Sequence, residues 1–444
     1  MEFITDYKVE NYILDTRWED LPDEVKTRAK GCGLDLMTAL ILGSQGEQFR
    51  NGVRISKYMI PGDITVPGCR ETFSFPGAAV ALGHASNSFD IDDGHNMIKG
   101  HPGTSFVGAV MAAGLEKDIS YREYLTTLVV CYDIAVRSGL SLQDYYGFLH
   151  STGAYGAVSS AAGIGRIFGF TREQLNTAIS MAEFHAPLTP VMISVEYPSM
   201  NKDGAPFGVL TGTFAALDTL AGETAKGYLL EMPAYKDLAD SLGKRYEILN
   251  LYFKPYTCCR WAHQPIRASI ELMQKEGFTW EDVEHVTVHT FDSASKLSKI
   301  VPKDTDEAQY NIAYPVAAAI VNGDLGYLQV CNANLGDERV LSVMKRLSFD
   351  VDPEMEAQFP AKRLAWVEFS LKDGRNMKTP VYAADGEASD HVDNAWLTAK
   401  FRRITAPFFT PEAQDSLLET MMEKEGLSLR EVVAEVNRWL LKED

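Results

Sequence analysis

Residues 153–170 read GAYGAVSSAAGIGRIFGF, and hardly a side chain among them is large. A helix with so little apolar bulk of its own is stable only where other helices press closely against it, because packing supplies most helical stability in proteins. This stretch therefore calls for a layered helical core. The segments LPDEVKTRAKGCGLDLMTALILG, GTSFVGAVMAAGL, YREYLTTLVVCYDIAVRSG and TREQLNTAISMAEFHA supply the layers. Their apolar positions recur at spacings of three and four, and several begin with Ser, Thr or Asp shortly before Glu, the pattern of a capped helix.

After about residue 265 the texture changes. WEDVEHVTVHTF alternates and is rich in β-branched residues, and RLAWVEFSLKDGRNMKTPVYAA reads as a hairpin around Asp373-Gly374. Helical patterns lie between them, and the tail from DNAWLTAKFRR onward is helical again. The fold class expected is mainly α with a smaller α+β domain. Residues 1–265 and 391–444 form a discontinuous all-helical domain from both chain ends, and 266–390 form the inserted α+β domain. A chain of 444 residues exceeds what one core usually supports.

Charge narrows the function. A net charge of −19 excludes nucleic acid or an anionic membrane as the main partner, since either needs a basic surface. The start, MEFITDYKVENY, is acidic and mixed, and no apolar run approaches a membrane span, so a cytoplasmic protein is expected. Six cysteines without CxxC or zinc spacing read as reduced thiols. An anionic substrate would need basic groups gathered in a pocket.

Residues 88–103, SFDIDDGHNMIKGHPG, concentrate titratable groups. Asp90, Asp92, Asp93, His95 and His101 suit a divalent metal and hence a metal-dependent hydrolase. They equally suit a helix cap with surface histidines, or acid/base chemistry with an imidazole tuned by carboxylates. GFLHSTGAYG puts His150 at the entrance to the small-residue helix, and NKDGAPFG puts Lys202 at a helix start, where a cation is favoured only if an anion shares the site. KPYTCCRWAHQPIRA gathers Lys254, Arg260 and His263 beside aromatics, a common way to build an anion pocket, while Cys258 and Cys259 have no evident base. Tyr314 opens an Ala-rich helix. Gly163, Gly165 and Gly169 spell GxGxxxG, too long and in the wrong context for a dinucleotide site.

LPDEVKTRAKGCGLDLMTALILG, HASNSFDIDDGHNMIKGHPG, GFLHSTGAYGAVSSAAGIGRIFGF, NKDGAPFGVLTGTFAA, KPYTCCRWAHQPIRA, EAQYNIAYPVAAAI and LTAKFRR, taken in order, resemble the MmgE/PrpD family, which contains 2-methylcitrate dehydratase, cis-aconitate decarboxylase and iminodisuccinate epimerase. The resemblance implies a homodimer, an active site between the domains, and chemistry without metal or organic cofactor. By motif match it makes Asp90, His101, His150, Lys202, Lys254, His263 and Tyr314 site residues. Two positions depart from the pattern. Gly94, followed by His95, stands where dehydratases and decarboxylases carry threonine, and Cys259 stands where the decarboxylase carries a histidine.

The expected activity is that of a cofactor-independent lyase, dehydrating a hydroxy-polycarboxylate by abstraction of an α-proton. An epimerase of a dicarboxylate such as iminodisuccinate is the alternative. Removing such a proton builds a dianion that needs fixed positive charge and separated acid and base. His101 and His150 are expected as the acid/base pair, with Asp90 orienting one imidazole, Lys202 supplying charge and Tyr314 donating to a leaving hydroxyl. Lys254, Arg260, His263 and His95 are expected to bind the substrate.

Overall fold

The computed structural model describes residues 3–4, 6–193, 202–390 and 392–442. Asn201 of the lysine motif, the expected domain-boundary residue 391 and the last two residues lie outside them. The protein is mainly α-helical with a smaller α+β part.

The helices that matter are α1 (Lys8–Asp15), α2 (Asp23–Gly43), α3 (Glu47–Ser56), α4 (Phe75–Ser86), α5 (Pro102–Lys117), α6 (Tyr121–Tyr146), α7 (Gly153–Phe168), α8 (Arg172–Phe184) and α9 (Ala205–Ala221). Helix α7 is the small-residue segment, and it packs against α5, α6, α8 and α9. The closeness is literal at α9: a Cβ on Gly212 would lie 2.4 Å from the Ala157 carbonyl oxygen of α7. Gly163 sits against Val110 and Cys131 and Gly165 against Leu175 and Phe170, whereas Gly169 ends the helix at φ 69°. Helix α6 is, contrary to the sequence reading, long and apolar enough to cross a bilayer, yet its apolar stretch is buried among these neighbours.

A second core gathers around α10 (His263–Glu276) and α11 (Ala313–Asn322). Helix α10, with α11 packed on it, covers a sheet of β3 (Val283–Thr290), β4 (Leu347–Val351), β5 (Leu364–Leu371), β6 (Asn376–Lys378) and β7 (Tyr382–Ala383), after two short strands, β1 (Gly94–His95) and β2 (Leu251–Tyr252), that pair with each other. The order is β4-β3-β5-β6, with β3 and β4 parallel, β3 and β5 antiparallel, and β7 beside β5. The expected hairpin closes β5 to β6, with Gly374 at φ 90° supplying the turn. Alternate β5 residues (Ala365, Val367, Phe369, Leu371) are buried, as the sequence alternation requires.

The tail returns as α12 (Asn394–Thr405) and α13 (Leu429–Leu440), with α12 lying on α2. Leu397 fills the groove over Gly31, and the Lys400 ammonium reaches Asp35 at 2.6 Å. Burial outweighs that attraction on both sides, pushing Asp35 up and Lys400 down. The pair fixes where α12 sits more than it adds stability.

Two buried carboxyls and a half-buried third gather where α1 meets α8. Glu10 and Glu231 share the Asn176 amide at 2.8 and 2.6 Å, and Glu183 accepts from the Leu229 N–H. Burial, with Glu10 close by, pushes Glu231 up to about 7, and burial does the same to Glu183. A carboxyl raised in the fold contributes stability below its unfolded pKa and loses it as pH rises through the folded value. The protein is therefore expected to resist urea better near about pH 5 than about pH 8.5. Glu231→Gln should gain about 2–3 kcal/mol at the higher pH and little at the lower. Equal urea midpoints for variant and parent at both pH values would contradict this.

Candidate active site

The titratable stretch folds into the seam between the two cores. Asp90 follows α4 in a left-handed turn at φ 51°, and His101 caps α5. The turn directs Asp90 and Asp92 at the same imidazole. His101 Nδ1 lies 2.9 Å from Asp92 Oδ2, and its Nε2 lies 3.8 Å from Asp90 Oδ1. Asn87 donates to the other oxygen of Asp92 at 2.7 Å, so that carboxylate is held from two sides. Asp90 and Asp92 are closed off, whereas His101 keeps 13% of its side chain exposed, and it is the member that can reach a ligand.

Lys254, fully buried just after β2, puts its ammonium 2.8 Å from Asp90 Oδ1. Burial alone would lower its pKa, but Asp90 and Asp92 more than compensate and hold Lys254 above the ordinary lysine value. Burial and the Lys254 charge push His101 down, yet the two carboxylates outweigh them and its pKa is raised. The site thus favours the imidazolium form of His101. Asp92, pushed up by burial, ends below its usual range through His101 and Lys254.

Asp90, Asp92 and His101 bring ligand atoms within 4.8 Å of one another, a set whose types suit a divalent ion. The Lys254 ammonium already lies against Asp90, so such an ion would meet a like charge at contact range. The donor set fits a proton and an ammonium better than a metal.

Lys202 and Asp203 enter from the short turn before α9, both at positive φ (42° and 56°). Lys202 pairs with Asp306 at 3.0 Å, donates to Gln309 and lies over the Tyr310 ring. Gln309 in turn donates to the Ser88 carbonyl oxygen at 3.0 Å, tying the α+β part to the aspartate turn. Thr152 donates to Asp203, and its hydroxyl oxygen accepts the His101 backbone N–H at 3.2 Å. Burial pushes Asp203 up to about 6, against the pull of His101 and Thr152. Close packing permits this approach: a Cβ on Gly153 would fall 2.2 Å from the Gly204 carbonyl oxygen.

His150, two residues before Thr152, is buried with Nε2 donating to the Leu142 carbonyl oxygen at 3.3 Å. That bond fixes the tautomer with Nδ1 as the bare nitrogen, and Nδ1 is buried without a partner among the described residues. Burial, packed by Phe148 and Tyr146, pushes His150 below the ordinary histidine value. The two histidines are tuned in opposite directions, one toward the charged form and the other toward the neutral.

Two family models match this chain, the MmgE/PrpD N-terminal domain over residues 8–239 and the MmgE/PrpD C-terminal domain over 256–424. The chain belongs to the MmgE/PrpD family. It is 22% identical to cis-aconitate decarboxylase of Aspergillus terreus, over 91% of this chain and 89% of that protein. It is 23% identical to cis-aconitate decarboxylase-like protein oryM of Aspergillus oryzae, over 71% and 73%. Family and relatives together support a lyase of the dehydratase or decarboxylase type.

Of the residues the MmgE/PrpD resemblance singled out, the structure gathers Asp90, His101, Lys254 and Lys202. Others have structural partners. His263 bonds the Cys258 carbonyl oxygen at 3.0 Å and burial keeps it neutral. Arg260 pairs with Glu387 at 2.8 Å and bonds the Asp385 carbonyl oxygen, fastening the loop after β7. His95 Nε2 lies 3.4 Å from Glu247 Oε2. Tyr314 points away from the cluster: its hydroxyl donates to the Gln329 carbonyl oxygen, in a surface cavity with Asn334 and Arg339. Tyr310, four residues earlier, feels Asp90 and Asp203 in its place. Asp92 joins them from the titratable stretch, and Asp203, Thr152, Gln309 and Tyr310 are the additions. Only Asp92 carried a signal in sequence, its spacing from His101.

Gly94 and Cys259 also have concrete settings. A Cβ on Gly94 would lie 2.1 Å from the Tyr252 ring, so this chain has no room for the family's threonine. Cys259 feels Asp90 and Lys254, and burial pushes its thiol up to about 11, which keeps it protonated and non-nucleophilic.

Proposed function

We propose that the protein is a cofactor-independent lyase that dehydrates a hydroxy-polycarboxylate, with His150 as the base that takes the α-proton and His101 as the acid that protonates the leaving hydroxyl. The observation that carries this reading is the opposite tuning of the two imidazoles, one raised by Asp92 and Asp90, the other lowered by burial. An acid and a base working at one pH need such separation. Loss of the proton leaves an enediolate-like dianion, and the buried ammonium groups of Lys254 and Lys202 supply fixed charge for it without reorganisation. Tyr310 is better placed than Tyr314 as a neutral donor. The reading includes a homodimer, supported by Phe207 and Phe214, half-exposed two turns apart on α9.

A specific observation favours epimerisation as the second reading. The Tyr252 ring excludes a threonine hydroxyl at Gly94, and a thiol stands at Cys259, so donors for a departing group are fewer than in the dehydratase pattern. Proton abstraction and return would need only the two histidines.

Proton NMR of metal-stripped protein in D2O with citrate, 2-methylcitrate, cis-aconitate, malate and iminodisuccinate separates these readings. Loss of one C–H signal with new alkene peaks is expected for a dehydratase, and loss of the signal alone for an epimerase. If no C–H exchanges until a divalent ion is added, both readings fail in favour of metal chemistry.

A further inference from the structure

Every cation in the cluster described so far is already matched to a carboxylate: Lys254 to Asp90, Lys202 to Asp306, His101 to Asp92. A substrate with two or three negative charges therefore needs others. Two lie beside the cluster. Lys99 sits in the turn that closes β1, where the His95 N–H bonds the Gly100 carbonyl oxygen. The neighbouring Ile98 is fully buried, and its carbonyl oxygen is held by Gln143 at 2.7 Å. With its backbone at φ 53°, Lys99 is held in a left-handed conformation that non-glycine residues seldom adopt. Arg363 immediately precedes β5 and is steered by one bond, Nη1 to Asn96 Oδ1 at 2.6 Å.

Neither Lys99 nor Arg363 has a carboxylate in ion-pair range among the described residues, and the Arg363 Nε is buried without an acceptor. Glu387, whose charge interacts with both, is engaged by Arg260 at 2.8 Å and by Asn96 at 2.8 Å. Burial and the Arg363 charge push Lys99 down to about 8, despite Glu387. The location is apt: Lys99 is two residues from His101, and the Arg363 charge reaches Tyr252 and Cys259, which also feel Lys254. Two half-buried like charges, one from each part of the molecule, are an arrangement that an anion between them relieves.

We propose that Lys99 and Arg363 form a carboxylate-binding subsite, taking the substrate carboxyl group farthest from the carbon that loses its proton. Only the identity of the molecule that brings the carboxylate rests on the lyase reading above.

The first test is selective acylation of Lys99 with an N-hydroxysuccinimide ester at about pH 8, read by peptide mass spectrometry. Tricarballylate, a tricarboxylate with no hydroxyl to lose, is expected to slow labelling of Lys99 about tenfold or more, while butyrate and inorganic phosphate at the same concentration do not. Unchanged labelling overturns the subsite, and protection by phosphate alone overturns its carboxylate character. The second test uses Lys99→Met and Arg363→Gln, each expected to raise KM about 10- to 100-fold with kcat nearly unchanged, the loss of one charge-assisted bond. Protection without turnover of any polycarboxylate would sink the lyase reading and leave the subsite standing. Turnover with unchanged KM in both variants would do the reverse.

Discussion

His101→Asn is expected to lower kcat by about 10²- to 10⁴-fold, the usual scale for loss of a positioned acid or base. Asparagine is the informative replacement because its amide can still donate to Asp92, which is fully buried and otherwise loses a partner. The pH profile of kcat/KM gives the sign. His150 works unprotonated and is lowered, so the acid limb should lie below the ordinary histidine value of about 6.5. His101 works protonated and is raised, so the alkaline limb should lie above that value. The variant should lose the alkaline limb and keep the acid one. Near-full activity in folded His101→Asn protein would remove His101 from the chemistry.

The second large effect is on the fold as well as the rate. Lys254→Met leaves Asp90 buried beside Asp92 with no ammonium to face, and breaking a buried pair on one side costs about 3–5 kcal/mol. Adding Asp90→Asn should restore most of that stability, because an amide carries no charge to desolvate. It should restore none of the activity. Urea melts of the two single variants and the double variant close the cycle. If Lys254→Met is as stable as the parent, Lys254 does not compensate Asp90.

What could be read beforehand follows the range of the interactions. Helix α7, strand β3 and the Asp373-Gly374 hairpin are written in local periodicity and turn chemistry. His101 and Asp92 lie within one short stretch, Lys254 stands out as a cation beside aromatics, and Lys202 as a cation at a helix start. Nothing local shows that Gln309 will hold Lys202 and Ser88 together, or that Thr152 will sit between His101 and Asp203, because those bonds join segments far apart in the chain. Arg260, His263 and Tyr314 illustrate the converse. Each lies in a motif of suitable composition, and each has its polar atoms drawn to a backbone carbonyl or a neighbouring carboxylate that the sequence does not reveal.

The Lys400–Asp35 contact has a bearing on how the molecule is made. During synthesis α2 emerges well before the lysine that faces its buried aspartate, which follows only after the whole sheet. Until then the groove over Gly31 has no Leu397 to fill it, and α2 carries an acid with no counter-charge. The nascent first half therefore cannot reach its final packing by folding in order of appearance, as separate domains commonly do. Helix α12 acts as a closing piece, and a ribosome stalled inside the sheet leaves a helical half with its inner face open to chaperones and proteases.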